Sequence, residues 1–399
     1  MFKFIHTSDW HLGQSFYGYD RSEEQRDFLR QLAGIVRKHQ PDAMLVSGDI
    51  FHTAAPSSAA LTMYVESMLD IRDACPTMEI IVIAGNHDSA SRLESDKRLW
   101  KLAGVRVLGG IARNGEGYAD LNRQIIEVGT RGIVAAVPFA YPTSFPRVDD
   151  TVASDMRQRA FFQSLLDRVS ERNAAGLPVV LMAHLAVNNS DFTGHDRSMT
   201  MECVEVDALG TGFDYAALGH IHRPQNLSAR VRYCGTPVAV SFDEQCEHSV
   251  SIVEIDSHGE LPRVTTKRID NIKPLHTVPA SEPVELEAAL AEVERRNDIN
   301  GAYIRLNVKV DGYLPSGAME RAATVVSASH GRFCEIRKSS ITAEGTASSR
   351  QMTIEEFSNK SPLEVAIQYI RDKHHREMTD REKEMFNYVY RLVEEGKRQ

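Results

Sequence analysis

The sequence predicts a layered α/β fold, and three observations carry that expectation. Short runs rich in Val, Ile, Leu and Ala recur without polar alternation, as strands buried on both faces do. They are AMLVSGDIFH from Ala43, EIIVIAGNHD from Glu79, VVLMAHL from Val179 and YAALGHIH from Tyr215. Helical periods lie between the early runs, and strands alternating with helices build a sheet covered by helices. Each run also ends in a polar cluster, which is how open α/β sheets deliver side chains to a site.

The elements follow in chain order. FKFIHTSDWHLG, Phe2 to Gly13, starts as a core strand and ends by exposing Asp9 and His11. A helix entered through Pro56-Ser57-Ser58 carries Leu61, Tyr64, Val65, Met68 and Leu69 at the spacing of one face. After His222 come closely spaced strands, VRYCGTPVAVSF and HSVSIVEID, expected to pair antiparallel. Around Lys273-Pro274 a small α+β module begins, with ELEAALAEVERR and SGAMERAATVVSA as helices and AYIRLNVKV and RFCEIRKSS as strands. Ser339 to Ser349 has the composition of a flexible linker. Two helices close the chain, started by the capping boxes Ser361-Pro362-Leu363-Glu364 and Thr379-Asp380-Arg381-Glu382. Their stripes are Leu363, Ala366, Ile367 and Ile370, then Met385, Phe386, Val389, Leu392 and Val393. Tethered in this way, the pair is expected to dock into a partner.

The gross numbers narrow the class. The chain has 399 residues, 42% of them hydrophobic, enough for roughly two to three domains. A net charge of -9 and a pI near 5.9 weigh against a stand-alone nucleic-acid binder, unless bound cations or a basic partner supply the positive field. No apolar run is long enough to span a bilayer. Asp9 stands so near the start that cleavage of a secretory leader would remove it, so no signal peptide is expected. Cys75, Cys203, Cys234, Cys246 and Cys334 are scattered and lack C-x-x-C spacing. They read as reduced thiols, and a cytoplasmic location follows as an expectation.

Five clusters carry chemistry: Asp9-x-His11, Gly48-Asp49, Gly85-Asn86-His87-Asp88, His184 and Gly219-His220-x-His222. They offer carboxylates, imidazoles and an amide, with no cysteine. Such ligands suit Mn²⁺, Fe²⁺ or Zn²⁺ with open positions, and mixed octahedral geometry favours Mn²⁺. There are more ligands than one ion uses; two ions about 3.5–4 Å apart, bridged by one carboxylate, would use them all. Singly, each cluster has an ordinary explanation: a capping pair for Asp-x-His, a turn for Gly-Asp, a hydrogen-bonded core imidazole for His184. Their conjunction, each behind a buried strand, is what points to a metal site.

In this order the clusters resemble the signature of the calcineurin-like metallophosphoesterases. Protein Ser/Thr phosphatases of that family carry Asp-Arg-Gly after the second motif and Glu after Gly-Asn-His; this chain has Phe51-His52-Thr53 and Asp88. Several stretches instead resemble the DNA-repair branch. They are His6-Thr7-Ser8-Asp9-Trp10-His11-Leu12-Gly13, Gly48-Asp49-Ile50-Phe51, Tyr233-Cys234-Gly235-Thr236-Pro237 and Ser241-Phe242-Asp243-Glu244.

The resemblance implies an α/β/β/α-type metallophosphoesterase core over residues 1–271, a capping domain over 272–340, and a linker with C-terminal helices over 341–399. It implies that Asp9, His11 and His222 hold one metal, that Asn86, His184 and His220 hold a second, and that Asp49 bridges them. His87 would be catalytic, facing the scissile phosphate, and His52 would position substrate. The implied activity is that of a Mn²⁺-dependent DNA nuclease, exonuclease on duplex ends and endonuclease on single strands or hairpins. Its implied partner is an SMC-like ATPase of the SbcC type, bound by the C-terminal helices. A homodimer through helices near 57–74 and 89–102 is also implied. A small-molecule phosphodiesterase and a non-cleaving DNA-end scaffold are the alternatives.

Overall fold

The computed structural model describes residues 1–194, 203–310 and 312–340, and in the C-terminal stretch positions 363, 367, 370–371, 377–383 and 385–386. Among the described residues two six-stranded sheets dominate. The first runs in the order Arg263–Arg268, Ser249–Ile255, Phe2–Thr7, Ala43–Ser47, Glu79–Ile83, Val105–Leu108. Its last four strands are parallel. The second runs Gln225–Asn226, Val231–Tyr233, Tyr215–Gly219, Val179–His184, Gly132–Val137, Ile125–Val128.

Side chains alternate between the faces of each strand, and both faces are buried. Phe4, Leu45 and Ile81 point toward Val134, Met182 and Ala217 in one core between the sheets. Their neighbours Ile5, Val46 and Val82 pack instead with Phe28, Leu32, Met63 and Met68 of helices Ser22–His39 and Ser58–Ala74. On the far side, Leu181 and Leu218 pack with Phe161, Phe162 and Leu165 of helix Arg157–Arg172. The result is the α/β/β/α layering the sequence leads one to expect. Double-sided burial explains why its strands read as unbroken apolar runs.

Two expectations need correction. The two strands expected to pair after His222, VRYCGTPVAVSF and HSVSIVEID, do not pair with each other. Val231–Tyr233 joins the second sheet, parallel to Tyr215–Gly219, whereas Ser249–Ile255 joins the first, antiparallel to Phe2–Thr7. The connection 234–248 is too long for a tight hairpin, and its side chains are engaged at the site described below. The helix expected over 89–102 is broken into Ala90–Leu93 and Lys97–Leu102. Between them the Ser95 hydroxyl donates to the Arg92 carbonyl at 2.8 Å, a local bond that competes with the helical ladder.

The stripe on Ser58–Ala74, a helix capped by the Ser57 hydroxyl accepting from the Ala60 amide, divides between two faces. Tyr64 and Met68 are buried against the sheet, while Val65 and Leu69 are exposed, as are Leu99 and Leu102 of the neighbouring helix.

The third module is a sheet of Leu275–Val278, Tyr303–Val310 and Arg332–Ser340. Helices Leu286–Arg295 and Ala318–Ala328 cover it through Leu290, Val293, Ala322 and Val326. It belongs to one compact unit with the sandwich, Met1–Ser339, so the expected boundary near 272 separates sheets within that unit. The junction centres on Arg21, which is buried. Its guanidinium pairs with Glu24 at 2.8 Å and lies 5.1 Å from the Phe16 ring and 5.5 Å from that of Tyr303. Tyr303 in turn donates to Glu24 at 2.8 Å.

In the C-terminal unit, Thr379 and Glu382 form the reciprocal capping contacts. The Thr379 amide donates to the Glu382 carboxylate at 2.8 Å and the Glu382 amide to the Thr379 hydroxyl at 3.3 Å. Of the expected linker, Ser339 and Ser340 end the strand Arg332–Ser340, and positions 341–349 lie outside the described residues, as do Ser361, Pro362, Glu364, Ala366, Val389, Leu392 and Val393. No helix among the described residues is long and apolar enough to cross a membrane.

Candidate metal centre

The loops at the strand ends are held in an uncommon conformation. Asp9, His11, Asp49 and His220 have φ of 53°, 47°, 52° and 105°, where non-glycine residues are strained. Backbone bonds hold the first two loops together: the Asp9 amide donates to the Gly48 carbonyl at 2.9 Å, and His11 to Asp49 at 3.0 Å. Asp88 extends this lacing, because its carboxylate accepts from the amides of Ile50, Phe51 and Gly85 at 3.1, 2.9 and 2.8 Å. Burial and then the nearby Asp49 charge push Asp88 up to about 6. A Cβ at Gly48, whose φ is 92°, would strike the His184 ring and stand 2.9 Å from the Gly85 Cα, so glycine alone permits this approach.

The ligating atoms of Asp9, His11 and His222 lie within 4.8 Å of one another, and so do those of Asp49, His184 and His220. The Asn86 carbonyl oxygen is 3.0 Å from His184 Nε2 and 2.8 Å from His220 Nδ1. Asp49 Oδ2 stands between the groups, 3.5 Å from His184 Nε2 and 3.8 Å from His11 Nε2. The structure therefore gathers every residue the sequence nominated as a ligand. His11, His52 and His87 also place their ring nitrogens within 4.8 Å of one another, but with no carboxylate among them.

Hydrogen bonds on the outer side of the rings fix what faces inward. His184 Nδ1 donates to the Ser47 carbonyl at 2.8 Å, so Nε2 turns a lone pair toward Asn86 and Asp49. With His222 Nδ1 donating to Glu244 at 3.1 Å, Nε2 faces His11 Nε2 at 3.3 Å. Acceptors facing acceptors in a buried site are unfavourable unless a proton or a cation sits between them. A divalent cation satisfies the whole set, and oxygen and imidazole donors without sulfur suit Mn²⁺, Fe²⁺ or Zn²⁺. The residues present fit a metal.

Without the cation, protons take its place. Burial lowers the His184 pKa, but the Asp49 and Asp9 carboxylates outweigh burial and raise it to about 9. Asp49 is held well below the usual carboxylate range; burial opposes this, and the His184 and His11 imidazoles prevail. His11, with burial dominant, stays well below the ordinary imidazole value. Since the folded His184 value exceeds the ordinary 6.5, the proton is fully held below that pH and is lost as pH rises through about 9. Metal must displace it. Affinity is expected to rise about tenfold per pH unit across this window, as read by calorimetric titration of Mn²⁺. Constant affinity between about pH 7 and about pH 8.5 would remove His184 from the ligands.

His87 sits differently. Its backbone amide donates to Asp49 Oδ1 at 2.9 Å, and its ring Nδ1 donates to the His52 carbonyl at 2.9 Å. Its ring stacks on that of His52, with centroids 5.7 Å apart. Both rings line a cavity of about 910 Å³ that opens over the candidate ligands.

In the sequence Asp88 and Glu244 stand inside motifs with no role given to either; the structure makes both supporting carboxylates. Glu244 is buried, and its second oxygen accepts from the Thr236 hydroxyl at 2.6 Å. A carboxylate behind a ligating imidazole fixes the tautomer and raises ligand basicity. Glu244→Ala is expected to weaken Mn²⁺ binding about 10- to 100-fold, measured by titration with a thermal melt as folding control. Unchanged affinity in a folded variant would show that His222 needs no such support. The signal was faint because Glu244 and His222 come together only through the crossing connection.

A four-layered sandwich with Asp, Asn and His side chains converging at its strand ends defines a metal-dependent phosphoesterase. Residues 2–224 match the calcineurin-like phosphoesterase family, and the chain belongs to it. It is 32% identical over 330 residues to the SbcD component of the nuclease SbcCD from Rhodobacter capsulatus, spanning 77% of this chain and 80% of that protein. It is 27% identical to the Escherichia coli K12 protein of the same name, spanning 78% and 79%. To that of Bacillus subtilis it is 31% identical, spanning 63% and 66%.

Proposed function

We propose that this chain is a Mn²⁺-dependent DNA nuclease, an exonuclease on duplex ends and an endonuclease on single strands and hairpins, working with two metal ions. The observation that carries this reading is the placement of Asp49 between two groups of inward-facing lone pairs. Similarity to three bacterial nuclease subunits supports a nucleic acid as the substrate, and the motifs of the DNA-repair branch favour DNA. In this reading Asp9, His11 and His222 hold one ion, Asn86, His184 and His220 the other, and Asp49 both. The ions would acidify the attacking water and neutralise the non-bridging phosphate oxygens.

The chain's own residues do the rest. His87, fixed through Nδ1 by the His52 carbonyl, presents Nε2 to the cavity and protonates the departing oxygen. His52 braces that ring and borders the phosphate. The module 272–340 acts as a capping domain. Residues 341–399 supply a linker and helices that bind an SMC-like ATPase of the SbcC type. The exposed Val65, Leu69, Leu99 and Leu102 form the contact of a homodimer.

The test is cleavage by the purified chain with Mn²⁺ of single-stranded circles, hairpins and linear duplex, with and without the ATPase and ATP. Circles and hairpins should be cut by the chain, and duplex ends only when the partner and ATP are added. Turnover of a cyclic nucleotide with no cleavage of any DNA would move the chain to a small-molecule branch of the family.

A further inference from the structure

We infer that Tyr17 and Tyr141 are stacking platforms for unpaired bases, so that the cavity grips a single-stranded segment by its bases more than by its phosphates. This rests on the nuclease reading above and specifies how the substrate is held.

The cavity of about 910 Å³ is far larger than a phosphate and its metals require, near the top of the usual ligand-site range of about 300–1,000 Å³. Aromatic rings reach it from three separate stretches of the chain. Phe16 and Phe242 are buried with centroids 5.2 Å apart, and Tyr17 packs beside them at 5.0 and 5.9 Å. Phe139 lies over His220 at 6.4 Å and meets Tyr141 edge-to-face at 5.1 Å. The inner rings brace the outer ones, and the outer ones stay open: Tyr17 is 48% and Tyr141 65% exposed.

Tyr17 is also strained. It occupies the two-residue turn between strands Ser15–Phe16 and Tyr19–Asp20, where Tyr17 has φ 50° and Gly18 φ 83°. Such turns favour Asn, Asp or Gly at both central positions. Its hydroxyl faces Glu335, an interaction that holds the ring in place without covering its face. Strain at an exposed aromatic beside a reaction site is the kind that function retains.

Charge points the same way. Arg305 is the one lysine or arginine among the described residues lining the cavity. It is already committed to Asp243 at 2.8 Å and Glu335 at 3.8 Å, and to the face of Phe242 at 5.0 Å. Among the described residues a strand passing here meets few free cations beyond any bound metals, but it meets ring faces, which any base can stack on.

The experiment compares Mn²⁺-dependent cleavage of an ordinary oligonucleotide with one of equal length carrying abasic sites around the cut phosphate. The full chain is assayed as wild type and as Tyr17→Ala, Tyr141→Ala, Tyr17→Phe and Tyr141→Phe. Wild type should prefer the base-bearing strand in kcat/KM. Each Ala change should shrink that preference about five- to hundredfold, and each Phe change should restore it. Binding should also weaken only gently with salt, with a slope of log affinity on log salt nearer −1 than the roughly −5 of a phosphate-tracking groove. Tyr17→Asn suits the turn and should melt no lower than wild type while losing the preference, which separates stacking from folding. Equal cleavage of both strands by wild type, or a preference unmoved in the Ala variants, overturns the inference and leaves the nuclease reading intact. Turnover of bis-p-nitrophenyl phosphate with no cleavage of either strand overturns the nuclease reading, and this inference with it.

Discussion

His87→Ala is expected to lose DNA hydrolysis by about two to four orders of magnitude while keeping its metals. The loss follows from removing an imidazole that lines the cavity with Nδ1 anchored on the His52 carbonyl and that, among the described residues, stands outside both carboxylate-bearing groups. Retention follows from the backbone: the amide that holds Asp49 Oδ1 at 2.9 Å survives the substitution, so the ligand loops keep their lacing. Single-turnover cleavage gives the first quantity and Mn²⁺ stoichiometry the second. A matching loss of metal would place His87 among the ligands and end its assignment as the acid.

Asp49→Ala should be worse. Its carboxylate stands between the two groups and is the principal counter-charge of His184, so its removal should weaken metal binding on both sides at once. It also frees the His87 amide. Hydrolysis should fall beyond the roughly 10⁴-fold reach of a lost general acid, and adding His87→Ala should cost nothing further, because residues sharing one network do not add. Two undiminished Mn²⁺ affinities in Asp49→Ala would show that the carboxylate bridges nothing.

The candidate ligands could be read from the sequence for a physical reason. A strand buried on both faces leaves no apolar explanation for Asp9, Asp49, Asn86, His184 or His220 at its end, so each stood out. What stayed hidden depended on partners. Composition marks Val231–Tyr233 and Ser249–Ile255 as strands, but register with a distant sheet decided where each went. A helical period marks Val65 and Leu69 as apolar without saying that they would be exposed while Leu61, Tyr64 and Met68 of the same stripe pack on the core. Leu275–Val278 is too short and too polar to announce itself. Asp88 and Glu244 look like ordinary loop acids until the amides of Ile50 and Phe51 and the ring of His222 are brought to them. Tyr17 is conspicuous only once its turn is known.

The candidate ligands are drawn from both sheets. Asp9, His11, Asp49 and Asn86 follow strands of the first, and His184, His220 and His222 end or follow strands of the second. Each triad of Asp and His therefore straddles the seam, and the thickness of the layer between the sheets becomes a gauge for the site. Phe4, Leu45, Ile81, Met182 and Ala217, all fully buried in that layer, set how far apart the two halves of each triad stand. The interior of the sandwich thus acts as a spacer, and a methyl group added or removed there would be felt as a change in reach at the strand ends, with no polar residue altered.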